Sequence, residues 1–273
     1  MVTKSVKAFA PANISCIFRL YEDKNPMKKG SLGVGFTLDL GATVRVSKNN
    51  KTIVKVNGKK ENFKTVLSVI NNLTEENVLI EIKTGVPFGS GFGMSGASAL
   101  GTAYALNKLL KLKKTKKELA MVAHVAEVAN STGRGDVGGQ FNGGIMAKFE
   151  KEPLKVEKLP IRQDYAYYQV FGELDTKKVI NSKAKVALIN KAGSAALRKV
   201  RKVKSFSELV SISKDFSIKS RLLKNRQVIN KIKEIEKKGG KASMIMLGDA
   251  VFSDVYFKGC KKAKIIKKGA RLL

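Results

Sequence analysis

The chain has 273 residues, 43% of them hydrophobic, enough for one large core or two small ones, and no run of about 18 apolar residues that would span a membrane. Only Cys16 and Cys260 are present, with no C-x-x-C pair, and the first dozen residues lack a secretory apolar core, so a disulfide framework, a zinc site and a signal peptide are set aside and a reducing cytoplasm is expected. The formal net charge of +31 would suit a nucleic-acid binder, but 44 of the 53 basic residues are dispersed lysines, Trp is absent and aromatics are not interleaved with the basic runs, which predicts polyanion binding that is at most non-specific.

Residues 5–10 read as an opening strand ended by Pro11, and the alternation from 33 to 46 reads as one or two strands. A short arm follows at 52–56, turned by Asn57-Gly58. Apolar positions at helical spacing over 62–73 predict a helix, and 78–82 a short strand. Two helices are predicted at 94–110 and 116–129, then a polar, Gly-rich break over 130–139 and a strand at 145–149. After Pro153 the texture changes: strands at 165–171, 242–247 and 264–266 flank helices at 180–200, 206–213 and 221–237. Strands and helices mix without a regular βαβ rhythm, which predicts an α+β fold with two subdomains.

The most informative stretch is GVPFGSGFGMSGASALG, residues 85–101. Glycines at 89, 91 and 93 can take positive φ and leave their amides uncovered. The helix that follows adds unpaired amide donors and a partial positive charge, so the two together make a phosphate cradle. The small residues Ser95, Gly96, Ala97, Ser98 and Ala99 continue into the helix at a cost in helix propensity, which implies that something approaches its backbone closely. The segment lacks the G-x-x-x-x-G-K-[ST] string and is not the G-x-G-x-x-G dinucleotide fingerprint.

Downstream, AHVAEVANSTGRGDVGGQFNGG carries the acid–base candidates. His124 and Glu127 are three apart on one helix face among apolar neighbours, where an acid is either buried with partners or functional. Asp136 sits in the Gly-flanked turn GRGDVGG. Phosphate cradling, a metal ligand and a positioned carboxylate are the parts that phosphoryl transfer needs.

The pattern P-x-G-x-G-x-G-x-S-x-A resembles the second motif of the GHMP kinase superfamily. The resemblance implies a two-domain fold, ribosomal-protein-like at the N-terminus and ferredoxin-like at the C-terminus, divided into residues 1–155 and 156–273. It places ATP phosphates on Pro87, Gly89, Ser90, Gly91, Phe92, Gly93, Met94, Ser95 and Gly96, with Ser95 and Glu127 as magnesium ligands and Asp136 facing the acceptor hydroxyl. KAFAPANISCIF, GSLGVGFTLDLGATVRV and above all GGKASMIMLGDAVFS are similar to the archaeal pantoate kinase branch of that superfamily. By that resemblance Ser31, His124, Asp136, Lys148 and Thr176 face the acid, and a homodimer acting on ATP and pantoate in coenzyme A biosynthesis is expected. The chain departs from the branch at Lys148, usually arginine, at Asn13, commonly histidine, and at Ala12, commonly glycine. A GHMP kinase for another small hydroxy compound, a GHMP-like synthase without kinase activity and a basic nucleic-acid binder are the alternatives.

Overall fold

The computed structural model describes residues 4–174, 179 and 182–273. Its first sheet is built on a long antiparallel pair, β1 (Ser5–Tyr21) and β2 (Gly30–Lys48). β3 (Ile53–Val56) and β4 (Lys59–Lys60) form the small arm, and β5 (Val78–Thr84) joins it to β2, parallel to β3 and antiparallel to β2. β6 (Ile145–Lys148) pairs with the first half of β2 and with β7 (Glu157–Lys158). Helices α1 (Lys64–Leu73), α2 (Met94–Leu110), α3 (Lys116–Ala129) and α4 (Asp136–Asn142) pack together, α2 and α4 lying directly on β1 and β2.

The second sheet has the order β11-β8-β10-β9, from β8 (Tyr165–Gly172), β9 (Ala242–Met244), β10 (Asp249–Ser253) and β11 (Lys261–Lys264). Helices α5 (Lys183–Val200), α6 (Phe206–Lys219) and α7 (Arg226–Lys237) accompany it. α5 and α6 reach back to β1: Asn190 Oδ1 accepts from the Leu20 amide at 2.8 Å, and Ser213 Oγ donates to the Cys16 carbonyl at 2.9 Å. With α2 also on β1, that strand is buried over most of its length. Phe36 of β2 meets Phe206 of α6 and Phe252 of β10 at ring separations of 5.3 and 5.5 Å, so one apolar core runs between the two sheets.

The α+β class agrees with the sequence, and several boundaries move. Pro11 does not end β1, because the pairing slips there, from Pro11 opposite Gly41 to Ala12 opposite Leu38. Such an irregularity tolerates a residue with no amide proton. The 33–46 region is part of a single strand of 19 residues. The Gly-rich break contains the start of α4, and α6 runs six residues beyond 213, to Lys219. Helix 221–237 begins only at Arg226, where Asn225 accepts from the amides of Gln227 and Val228. The strand at 242–247 stops at Met244, and the last strand expected at 264–266 lies earlier, as β11 ending at Lys264, while Ile265 bridges to Leu38. β7, β10 and β12 (Arg271–Leu272) were not anticipated. β12 returns to pair with β1, and β7 lies on β6, so both belong to the first sheet although they follow residue 155.

Candidate active site

The site is assembled where the start of α2 meets the end of α3 and the start of α4. Gly93 caps α2 with φ +65°, no side chain bonds the helix start, and no acid lies in the first turn. Gly89 and Gly91 also have positive φ, at +76° and +86°. A Cβ at Gly91 would stand 2.7 Å from Ile245 Cγ2 and 2.8 Å from the Met246 carbonyl, so the turn after β9 fits against bare backbone. Ser90 Oγ donates to the Pro87 carbonyl at 2.6 Å, and the amides of Leu174 and Asn13 donate to the carbonyls of Gly89 and Phe92 at 2.8 and 3.0 Å. Carbonyls of the loop are thus tied down from three sides, while the helix start keeps its amide donors and positive end.

Glu127, in the last turn of α3, is 2% exposed. Its Oε1 accepts from Thr132 Oγ1 at 2.6 Å. Thr132 is linked to Thr65 at 3.1 Å, and Ser95 Oγ donates to Thr65 at 3.3 Å. Burial pushes the Glu127 carboxyl up, hydrogen bonding from Ser95 and Thr132 opposes this and the nearby Asp136 charge adds to it, leaving the group at about 7. A Cβ at Gly96 would lie 2.8 Å from Gln140 Oε1 and 3.2 Å from Glu127 Oε2, and one at Gly133 would run into Glu127 Oε2. Both glycines therefore make room for this carboxylate.

Asp136 is the first residue of α4 and half-buried. Its Oδ1 accepts from Asn13 Nδ2 at 2.8 Å and Ser15 Oγ at 3.2 Å, both from β1. Burial raises its carboxyl above the ordinary range, against the hydrogen bonds from Asn13 and Ser15 and the positive charge of Lys148. Lys148 is buried on β6 and donates to the Pro153 carbonyl at 3.1 Å. Burial brings its ammonium down to about 8, with Asp136 pulling the other way. His124 is 1% exposed, and its Nε2 donates to the Lys29 carbonyl at 2.9 Å. Burial and then Lys148 push the imidazole down to about 4, against the bond to Lys29, so it is neutral at pH 7.

An open cleft runs along these groups. The expected loop residues Pro87, Gly89, Gly91, Phe92, Gly93, Met94 and Ser95 line it, as do Ser31, Glu127 and Asp136. Lys148 lines a smaller adjoining hollow that shares Ser15 and Ser31 with the cleft. Ser90 braces the loop through its bond to Pro87, and neither Gly96 nor His124 is part of either wall. Thr176 lies outside the described residues. Met246 and Leu247, from the 243–248 strand and turn expected beside the acid, also line the cleft, whereas sequence reasoning missed Ser15, Thr65, Thr132, Arg134 and Gln140 and marked Asn13 only as a departure. Asn13 and Ser15 were discoverable in principle, because alternate residues of a strand share a face. Among the described residues no three His, Cys, Asp or Glu side chains cluster as a metal cage. The donor set of one carboxylate and one hydroxyl suits a hard cation that keeps water and phosphate oxygens as ligands.

A glycine-capped helix start facing two carboxylates, on this pair of sheets, is the architecture of a GHMP kinase. The family model described as the GHMP kinases N terminal domain matches residues 62–144. The chain is 32% identical to the pantoate kinase of Methanocaldococcus jannaschii, over 89% of this chain and 90% of that one. It is 31% identical to the pantoate kinase of Thermococcus kodakarensis, over 95% and 90%. A solved structure described as a phosphotransferase related to the CoA biosynthesis pathway superposes with a TM-score of 0.86, at 25% identity and over 99% of both chains. A mevalonate diphosphate decarboxylase from Enterococcus faecalis, 16% identical over 98% of both chains, has the same fold with a TM-score of 0.73. The chain belongs to the pantoate kinase family of the GHMP kinases. No helix among the described residues is long and apolar enough to cross a membrane.

Proposed function

We propose that the chain transfers the γ-phosphoryl group of ATP to the hydroxyl of pantoate, giving 4-phosphopantoate and ADP. The observation that carries this reading is the placement of Asp136 against the start of α2, where a Cβ on Gly93 would be 3.1 Å from Asp136 Cγ. Phosphate on the glycine-capped helix start and a hydroxyl on the aspartate would then be neighbours, as in-line transfer requires. The relatives favour a kinase over the synthase and nucleic-acid alternatives.

The geometry supports the following roles. The amides of the 87–96 loop and the positive end of α2 hold the phosphates. Among the described residues both side-chain hydrogen bonds to Asp136 go to Oδ1, and Oδ2 would orient the acceptor hydroxyl and take its proton. Ser95 and Glu127 would hold magnesium, which when bound offsets the negative charge of the phosphates. A cation there also suits Glu127, whose buried carboxyl is otherwise driven toward its neutral form. Ser31, His124, Lys148 and Thr176 as contacts of the acid are carried over from the family pattern. A cytoplasmic homodimer, with an ATP-binding part over 1–155 and a second part over 156–273, completes the reading.

The test is ADP release from Mg-ATP with pantoate, homoserine, mevalonate, shikimate and galactose in parallel. Turnover with pantoate well above the others is expected. Faster turnover with another acceptor, or none with any, would overturn the substrate assignment.

A further inference from the structure

Resting on that reading, the remaining question is which group takes the carboxylate of the acid. Lys148 is poorly placed for it alone: its ammonium is buried, already donates to Pro153, and opens onto the adjoining hollow instead of the main cleft. A second cation is on the cleft wall. Arg134 lines the cleft two residues before Asp136, and its side chain is only 8% exposed. Its guanidinium is paired with Glu22, which is 61% exposed and also holds Lys29 at 2.7 Å. Glu22 and Lys29 bracket the exposed loop 22–29 that links β1 to β2, and the Lys29 carbonyl is the one bonded to His124. Beside them the Tyr21 hydroxyl is buried without a hydrogen-bond partner among the described residues. A Cβ on Gly30 would lie 2.6 Å from it and 3.3 Å from the Arg134 carbonyl.

A largely buried guanidinium on a cleft-lining residue, matched to a solvent-facing carboxylate of the same chain, has the form of a binding group held by an internal substitute. We infer that Arg134 is the specificity-determining residue for the carboxylate of the hydroxy acid, and that Glu22 occupies its fork until the acid displaces it. Arg134 then supplies the planar two-point contact that lysine at position 148 cannot make. The loop 22–29 is released on the side facing solvent when Glu22 is exchanged.

The experiment compares steady-state kinetics for pantoate and for its neutral primary amide in the full chain, with ATP varied separately. In Arg134→Ala the KM for pantoate is expected to rise about 30-fold, the size of a lost charge-assisted contact, with the KM for ATP within twofold. The preference for pantoate over the amide should collapse with it, which a merely structural role would not produce. Glu22→Gln removes the internal competitor and should lower the KM for pantoate about threefold, in line with a solvent-facing pair. An Arg134→Ala enzyme that keeps its preference for the acid over the amide would overturn the inference while leaving the kinase reading intact. So would Glu22→Gln raising the KM for pantoate, since the pair would then be a clamp on the loop. A wild-type protein that phosphorylates no hydroxy acid would overturn both.

Discussion

Two helices that pack against each other, α2 and α3, begin in opposite ways. α3 begins with a complete capping box: the Thr115 side chain accepts from the Glu118 amide, and the Glu118 carboxylate accepts from the Thr115 amide at 2.7 Å. Orphan donors there are satisfied by the chain itself. α2, packed against α3, begins at a left-handed glycine with no side-chain cap and no acid in its first turn. Its acids, Glu127 and Asp136, stand off on neighbouring helices, separated from the helix start by glycines that make room. A start finished internally serves stability. One left open, with unpaired amides and a positive end, has the chemistry that suits an anionic ligand.

The sharpest contrast is chemical. Asp136→Asn keeps the size and the contacts to Asn13 and Ser15 available but removes the proton acceptor. The expected fall in kcat is about 100-fold or more, with nucleotide binding retained in a fluorescence titration. Near-normal turnover would take Asp136 out of the reaction. The next largest effect is at the open start itself. Gly93→Ala puts a Cβ 2.9 Å from Gln140 Nε2 in a left-handed backbone, and should raise the KM for ATP about tenfold while costing about 1–2 kcal/mol in stability. The matching change at the closed start, Thr115→Ala, should cost about 1 kcal/mol in denaturant unfolding and leave both KM values unchanged. A kinetic effect there as large as at Gly93 would erase the distinction between the two ends.

A different readout is the pH dependence of stability. With Glu127 near 7 in the folded protein and 4.5 as its ordinary value, the nucleotide-free fold holds a proton that the unfolded chain has released between those limits. Stability therefore falls as pH rises through that window, by at most about 1.4 kcal/mol per pH unit for one proton. His124, near 4 when folded against 6.5, acts oppositely, since the unfolded chain binds its proton first and stability falls as pH drops from 6.5 toward 4. The difference between wild type and Glu127→Gln isolates the first contribution, and magnesium with nucleotide should flatten it. Equal pH profiles for the two proteins would mean that the carboxylate is charged in the empty site.

The loop glycines, Ser95, Glu127 and Asp136 were legible because their signals are local: residues of special backbone freedom at fixed spacing before a helical pattern, and acids among apolar or glycine neighbours. The partners that fix their chemistry were not. Asp136 takes its hydrogen bonds from Asn13 and Ser15, more than 120 positions earlier, and Glu127 takes one from Thr132, which is tied to Thr65 of α1. The run of small residues in α2 was read as one feature, yet it divides: Gly96 faces Glu127, whereas Gly101 packs on Val44 of β2.

The chain's order of residues by itself determined the element types and the glycine-capped cradle, since helix periodicity, strand alternation and glycine's missing Cβ act within a few residues of one another. Which strands pair, that β1 runs through Pro11, that His124 is sealed against Lys29, and that Arg134 meets Glu22 were decided only in three dimensions. Those outcomes depend on long-range packing and on charges brought out of water together, and neither leaves a periodic trace in a linear sequence.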